Sequence, residues 1–228
     1  GHAHLVGQRL RVLAVVVVKK EGQAVFFRAS LSLPLVLAWL ALRGEFPRGL
    51  RTRSWRSHAV RGIVGSASMG LGFAGLRYLP LPEVTALTFV TPILVVLFAA
   101  VMLGERIRLI RISAVVAGLA GVLVILWPRL TLGSGAADET ALFGASLVLA
   151  AAGLAALAQV FVKSMAGREH TAAIVFYFLL TATLLSLLTI PFGWVWPTPR
   201  ELALLVGAGL IGGLGQILLT SSFRYAEA

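Results

Sequence analysis

The 228-residue chain contains no cysteine. Disulfide bonds, thiolate nucleophiles and cysteine-ligated metal sites are therefore excluded. Its sequence also shows no Ser-His-Asp set, no phosphate-binding loop and no paired carboxylates within an apolar segment. The four histidines lie near the N-terminus or in predicted loops: His2, His4, His58 and His170. These absences argue against an enzyme, and they indicate no cofactor and no metal.

Charged residues are also scarce, at 13% of the chain, whereas a soluble domain has about 25%. Hydrophobic residues make up 58%, and the mean hydropathy is +0.92. This balance is typical of an integral membrane protein surrounded by a lipid bilayer. The net charge of +11 does not indicate a nucleic-acid partner, because the arginines stand in short runs between apolar segments. Basic residues in such places set membrane topology.

The apolar segments predict an all-α bundle of membrane-spanning helices. A helix needs about 20 apolar residues to cross a bilayer, and Val84–Leu103 meets this requirement without a charge. A shorter run, Leu13–Val18, is interpreted as the remnant of a first helix. Six further spans are predicted at Val25–Leu42, Gly62–Leu76, Ile112–Trp127, Ala141–Val162, Thr171–Ile190 and Leu202–Phe223.

The basic residues predict an orientation. If the N-terminus is cytoplasmic and the remnant counts as a crossing, 14 Lys and Arg residues fall inside and 6 outside. This bias favours a cytoplasmic N-terminus and a cytoplasmic loop at residues 43–58. Trp194 and Trp196 are then expected in the outer aromatic belt.

Parts of the sequence repeat with the same order of motifs. Residues 61–81 match residues 208–228 at an offset of 147, for example at Gly62 and Gly209. "AVFFR" (24–28) matches "IVFYF" (174–178) at an offset of 150. The repeat unit is therefore about five helices, and an odd number inverts the second unit in the membrane. Inverted repeats are typical of secondary transporters, whose substrate site lies near the midplane between the halves.

The motifs of residues 75–128 resemble the EamA-like family of the drug/metabolite transporter superfamily. They are "GLRYLPLPEVTALTFVTPILVVLFAAVMLGERI" (75–107) and "GLAGVLVILWP" (118–128), preceded by "AVFFRASLSLPLVL" (24–37). The resemblance implies ten helices in two inverted five-helix repeats and the transport of small organic solutes by alternating access. It places the first repeat at 1–130, with an incomplete first helix, and the second at 141–228, with its last two helices expected to be missing.

Other functions and assemblies are compatible with the sequence. The count of seven spans also fits a non-transporting seven-helix receptor or a structural membrane protein. A receptor would not predict a five-helix repeat, so the transporter interpretation is preferred. A homodimer is left open. The amino-acid composition favours a GC-rich bacterial genome and hence the bacterial cytoplasmic (inner) membrane.

Polar residues inside the apolar segments are the candidates for the substrate pathway. Arg28 is costly in a membrane and either meets an anionic solute group or extends to the interface. Buried amides need partners, so Gln159 and Gln216 are expected to face the bundle interior. Phe27 and Tyr177 correspond across the repeat, and they either flank a solute or simply pack.

The stretch "RYLPLPEVTALTFVTP" (77–92) combines hydroxyls with a helix breaker. Thr85, Thr88 and Thr91 share one helix face, and Pro92 cannot bond to the carbonyl of Thr88. Either the hydroxyls stabilise a kink within their own helix, or this face lines an aqueous cavity; we favour the cavity. Glu83 is interpreted as a first-turn carboxylate, with proton coupling as the alternative. Glu105 is interpreted as a helix-end anchor, with gating as the alternative.

Two of the predicted helices are rich in glycine. Small residues let membrane helices approach closely, so both helices are expected to face protein instead of lipid. The glycines are Gly62, Gly65, Gly70, Gly72 and Gly75 in one helix, and Gly207, Gly209, Gly212, Gly213 and Gly215 in the other.

The absence of cysteine makes the predicted topology directly testable. Single cysteines at Arg53 and Ser164 should react with a membrane-impermeant thiol reagent only from the cytoplasmic side, and one at Ser134 only from outside. Labelling of position 53 in intact cells would contradict the orientation.

Overall fold

The structure is a computed structural model that describes the backbone of residues 2–104 and 136–225, isolated positions between 113 and 124, and most side chains from residue 22 onward. Every regular element in these ranges is helical, which confirms the all-α prediction. Short 3₁₀ turns occur at Arg48–Leu50 and Ile190–Phe192. The α-helices are α1 (His2–Leu42), α2 (Trp55–Gly75), α3 (Leu81–Thr88), α4 (Val90–Leu103), α5 (Ala136–Ala166), α6 (Thr171–Leu187) and α7 (Pro199–Tyr225).

Four helical stretches of the described residues are long and apolar enough to cross a membrane. They coincide with predicted spans and lie at Gly22–Leu42, Leu81–Leu103, Glu139–Ala166 and Pro199–Phe223. The α6 helix is apolar but has 17 residues. The predicted span Gly62–Leu76 lies in α2, which begins seven residues earlier with a polar turn. Most of the predicted span Ile112–Trp127 lies outside the described residues.

The predicted separation of a helix remnant from the first full span is wrong. Residues 2–42 form one continuous helix, with no turn between Leu13–Val18 and Val25–Leu42. The segment that joins them, "KKEGQA" (19–24), contains one glycine and no proline, and its other residues are mostly good helix formers. A change from apolar to polar composition suggests a chain reversal, although a helix tolerates it.

The helix is interrupted near Pro92, in line with the kink that the sequence analysis gave as one alternative for this stretch. The apolar stretch Leu81–Leu103 consists of α3 and α4, which meet at Phe89. Pro92 lies in the first turn of α4, where its missing N–H group costs nothing. Gly104, with a φ of 69°, ends α4 in the left-handed region that favours glycine.

The described chain divides into two compact units, Gly1–Ser66 with Ala166–Ala228, and Ala67–Met165. In the first unit, α1 packs against both α6 and α7. In the second unit, residues before and within α3 and α4 pack against α5. The core of this second unit consists of Leu79, Val84, Leu87, Val90, Ala141, Ala145 and Val148.

Glycines on one side of α7 allow it to lie close to α1, as the sequence predicts. A Cβ atom at Gly209 would lie 2.8 Å from the Cβ atom of Leu31, and one at Gly213 would lie 3.0 Å from that of Ser32. The Oγ atom of Ser32 lies 2.7 Å from the carbonyl oxygen of Arg28 and 2.6 Å from that of Gly209, so its single proton is shared between the two acceptors. The two backbones therefore lie so close that a side chain at position 209 or 213 would collide with α1.

The two-residue separation of Gly207 and Gly209 gives a matched test of this packing. Gly209→Ala should lower the free energy of unfolding by about 1–3 kcal/mol, because Leu31 would have to move. Gly207 has nothing within 4 Å of its would-be Cβ atom, so Gly207→Ala should be neutral or gain up to about 1 kcal/mol of helix propensity. Thermal unfolding of the purified variants measures both. Equal melting temperatures for the two alanine variants would contradict the close packing.

Candidate functional site

The N-terminus of α2 is held by a carboxylate from the turn between α5 and α6. Oε1 of Glu169 accepts hydrogen bonds from the backbone N–H groups of Arg53 (2.9 Å) and Ser54 (3.1 Å). It also accepts one from the hydroxyl of Thr52 (3.3 Å). A negative charge at a helix N-terminus satisfies unpaired N–H groups and interacts favourably with the helix dipole. Glu169 therefore fixes where α2 begins.

His58 lies in the first turn of α2 and is buried, which corrects its sequence-based placement in a loop. Its Nε2 atom is 3.7 Å from Oε2 of Glu169, and its ring centroid is 4.9 Å from that of Tyr177. Burial lowers the pKa of His58 below its ordinary 6.5, against the opposing attraction of Glu169, and nearby Arg61 adds to the lowering. Protonation of His58 is therefore less favourable in the folded protein than that of an exposed histidine.

Arg61 follows one turn later and is also buried, 5% exposed. Its Nη2 atom donates a long hydrogen bond of 3.4 Å to Oε1 of Gln216 in α7. Its Cζ atom lies 4.0 Å from the ring centroid of Phe178 in α6, a cation–π contact. Neither Nε nor Nη1 has a hydrogen-bond partner among the described residues. The guanidinium thus lies between three helices with most of its donors unused.

Arg61 has space because α2 carries a glycine one turn further on. A Cβ atom at Gly65 would lie 2.4 Å from Nη1 of Arg61 and 2.8 Å from the ring of Phe178. Any side chain at position 65 would displace the guanidinium or the ring. The spacing of Arg61 and Gly65 therefore lets the side chain lie along its own helix.

Arg28 contacts the same side of α7 that Gln216 presents. A Cβ atom at Gly212 would lie 2.9 Å from Nε of Arg28. Gly212 and Gln216 are four residues apart and so occupy one helix face. Within the first unit, this face of α7 brings together two of the predicted site residues, Arg28 and Gln216, and adds Arg61.

Phe27 lines an open, mainly apolar cleft of about 560 Å³ in the first unit. Phe26 packs on Trp194, with 5.0 Å between ring centroids, and the Trp194 indole N–H donates to the Thr189 hydroxyl (2.9 Å). Trp196 is 90% exposed, which suits the predicted aromatic belt. Other side chains around the cleft include Gln23, Leu187, Ile190 and Val195.

Phe27 and Tyr177 are not brought to one site. The cleft beside Phe27 is lined by Leu187 of α6, ten residues and about 15 Å along the helix from Tyr177. The Tyr177 hydroxyl instead donates to the carbonyl of Leu50 (3.1 Å). Tyr177 therefore holds the loop before α2 and contacts His58.

The threonine stretch belongs to the second unit, and its hydroxyls bond to their own helix. Thr85 donates to the carbonyl of Leu81 (2.8 Å) and Thr88 to that of Thr85 (2.6 Å). Both side chains are exposed, and Thr91 is half-buried. These bonds fit the structural explanation, while each hydroxyl oxygen retains acceptor capacity for a solute. The cavity stays a prediction.

The remaining candidates are placed but not given a role. Glu83 lies in the first turn of α3, as expected, and Pro92 lies in the first turn of α4. Gln159 is half-buried in α5. Glu105 lies outside the described residues.

Sequence reasoning missed His58, Arg61 and Glu169. All three fall in or beside polar, basic segments that were assigned to loops and to the cytoplasmic charge count. A signal was present: His58, Arg61 and Gly65 recur at helical spacing, which places them on one face of α2.

The buried state of His58 predicts how stability depends on pH. Because the folded state lowers the pKa of His58, the unfolded chain binds the proton more readily, so stability decreases as pH falls through 6.5. The melting temperature should therefore drop below about pH 6.5, and less steeply in His58→Gln. His170→Gln, at an exposed position, provides the control for the loss of a histidine as such. Parallel curves for wild type and His58→Gln would contradict this role.

Comparison with known proteins places the chain in a family. The profile of the EamA-like transporter family matches residues 16–127, and that of solute carrier family 35 matches residues 75–192. No solved structure matches the chain significantly.

Curated relatives extend the similarity over most of the chain. The pseudopaline exporter CntI of Pseudomonas aeruginosa is 31% identical over 91% of this chain and 70% of its own length. A riboflavin transporter of Rhizobium johnstonii is 30% identical over 89% of this chain and 63% of its own. An S-adenosylmethionine uptake transporter of Rickettsia prowazekii is 26% identical over 90% and 67%. The chain belongs to the EamA-like transporter family and is a multi-pass membrane transporter of small molecules.

Proposed function

We propose that the protein carries a small organic solute across a bacterial cytoplasmic membrane by alternating access. The observation that supports this most strongly is the similarity to a metabolite exporter over 91% of the chain. Relatives named for riboflavin and for S-adenosylmethionine uptake indicate that this sequence framework serves solutes of different shape. Buried polar groups inside an apolar helical unit are the feature that a solute path requires.

The proposed mechanism uses two inverted repeats of a five-helix unit, of which this sequence contains the parts at 1–130 and 141–228. The repeat relates α1 to α6 and α2 to α7. The packing of α1 against α6 and α7 supports it, because the first unit then combines helices of both repeats. The two packing units therefore have different boundaries from the two sequence repeats. This is expected if helices of one repeat pack against helices of the other.

The proposed orientation places the basic loop between α1 and α2 in the cytoplasm. Since α1 is continuous, a single crossing would begin on the opposite side, and Arg9 and Arg11 would join the outside set. The count then becomes 12 inside and 8 outside. The bias is smaller than the sequence analysis predicted but still favours a cytoplasmic loop at 43–58. With a single crossing, the N-terminus lies outside in this proposal and not in the cytoplasm as the sequence analysis expected. A homodimer stays a prediction.

Flux into proteoliposomes tests the proposed function. The purified protein should accelerate movement of at least one labelled solute from a panel that includes riboflavin and S-adenosylmethionine, in either direction, with saturation at high concentration. Empty liposomes provide the background. Failure to move any member of a broad metabolite panel, by a protein that remains folded, would contradict the proposal.

Thr88 tests whether the hydroxyl face of α3 lies on the solute path. Thr88→Val is nearly isosteric and removes the hydroxyl, so it should reduce flux about tenfold or more while leaving the melting temperature near wild type. Thr88→Ser keeps the hydroxyl and should largely preserve flux. If Thr88→Val transports normally or simply unfolds, the hydroxyl serves only the helix junction at Phe89.

A further inference from the structure

The guanidinium of Arg61 is a buried charge without a counter-ion among the described residues. Among the described residues of the first unit, His58 pairs with Glu169 and His170 with Glu45, and neither pair includes Arg61. Oε1 of Glu169 is already engaged by the start of α2. A buried charge is costly unless it is paired and hydrogen-bonded. A bound anion would therefore stabilise the guanidinium of Arg61.

The contacts around Arg61 leave donors available for such an anion. Nε and Nη1 carry three of the five N–H groups of the side chain, and both lack a partner among the described residues. The ring of Phe178 covers one face, and Nη1 lies against the backbone of α2 at Gly65. Gln216 supplies an amide that contacts Nη2 weakly, at 3.4 Å. Together, Phe178, Gly65 and Gln216 orient the guanidinium of Arg61 but do not neutralise its charge.

Arg61 contacts α6 well beyond the first turn of that helix. Its partner Phe178 is seven residues beyond the start of α6, which corresponds to about 10 Å along the helix. Arg28 adds a second cation to the same face of α7, one helical turn away, at Gly212. No described carboxylate forms an ion pair with either arginine.

We propose that Arg61, oriented by Gln216 and Phe178, binds an oxyanion group of the transported solute, a carboxylate or a phosphate. Guanidinium groups suit both anions, because their planar fork matches the oxygen spacing. The proposal rests on the proposed transport function and specifies its substrate class. In the conformation described, the guanidinium is enclosed, so the anion reaches it when α2, α6 or α7 shifts.

A ligand-independent test introduces the missing anion into the protein. Gln216→Glu places a carboxylate beside Nη2, so it should raise the melting temperature above that of wild type. The gain should vanish in the double variant Arg61→Gln/Gln216→Glu. Gln216→Leu, which keeps the volume without an acceptor, should show no gain. A Gln216→Glu variant that is no more stable than wild type, or a gain that persists without Arg61, would overturn the proposal.

A second measurement identifies the anion. Melting temperatures are recorded with sodium citrate and with sodium phosphate, against sodium chloride at matched ionic strength. Wild type should be stabilised saturably by one or both; citrate alone indicates a carboxylate and phosphate alone a phosphoryl group. Arg61→Gln should need roughly 10–100 times more anion for half the effect, with Arg61→Lys between. An equal response in wild type and Arg61→Gln, or no saturable response to either anion, would overturn the assignment.

Flux assays separate this inference from the proposed function. Carboxylate solutes and their amides are compared in proteoliposomes that contain wild type or Gln216→Glu. The inference predicts that wild type favours the acid and that Gln216→Glu loses this preference. If wild type moves solutes but treats acid and amide alike, the inference fails and the transport function stands. If wild type moves nothing, the transport function itself fails.

Discussion

The helix α7 can lie against α1 only because one of its faces has almost no side chains. Gly209, Gly212 and Gly213 occupy this face, followed by Gln216, and we refer to these four residues as the α7 strip. Helices in lipid gain little from the hydrophobic effect on contact, so close van der Waals packing and interhelical hydrogen bonds must hold them together. The hydrogen bond from the Ser32 hydroxyl of α1 to the carbonyl of Gly209, at 2.6 Å, shows how close the approach is. Much of the first unit follows from this contact.

The same strip explains why two arginines are tolerated inside the unit. Gly212 leaves space for the side chain of Arg28, and Gln216 offers Arg61 an oxygen without a charge. A carboxylate at position 216 would neutralise Arg61 permanently. The amide instead keeps the guanidinium oriented and positive. An unpaired buried charge costs stability, and such costs are common at functional sites. Under our proposal, Arg61 is the group that binds the solute.

Contacts of Glu169 with the start of α2, including its contact with His58, fix the position of Arg61. The carboxylate fixes the start of α2, and the position of that start sets the helical phase of His58, Arg61 and Gly65. A shift by one residue would rotate Arg61 by about 100°, away from Phe178 and Gln216. The turn that connects α5 to α6 therefore controls, through α2, where the guanidinium lies.

Local sequence signals predicted much of this fold. Apolar length identified four spanning stretches, the glycines indicated which helix packs closely, and Pro92 located the interruption between α3 and α4. The burial of Arg61 could not be predicted in the same way. The burial of Arg61 depends on Glu169, which is more than a hundred residues away in the chain. Glu169 binds the backbone just before α2, so the basic segment forms the start of a helix. Similarly, the continuity of α1 depends on the absence of a strong breaker, which a hydropathy pattern does not register.

The central claim is that the α7 strip lies on the path of the solute. The cysteine-free chain allows a direct measurement, in which Gln216→Cys is exposed to a membrane-impermeant thiol reagent on each side of proteoliposomes. Alternating access predicts that this cysteine reacts from both sides, and that a transported solute slows the reaction at a concentration near that of half-maximal flux. A cysteine that never reacts, or that reacts at the same rate with and without the solute, would contradict the claim.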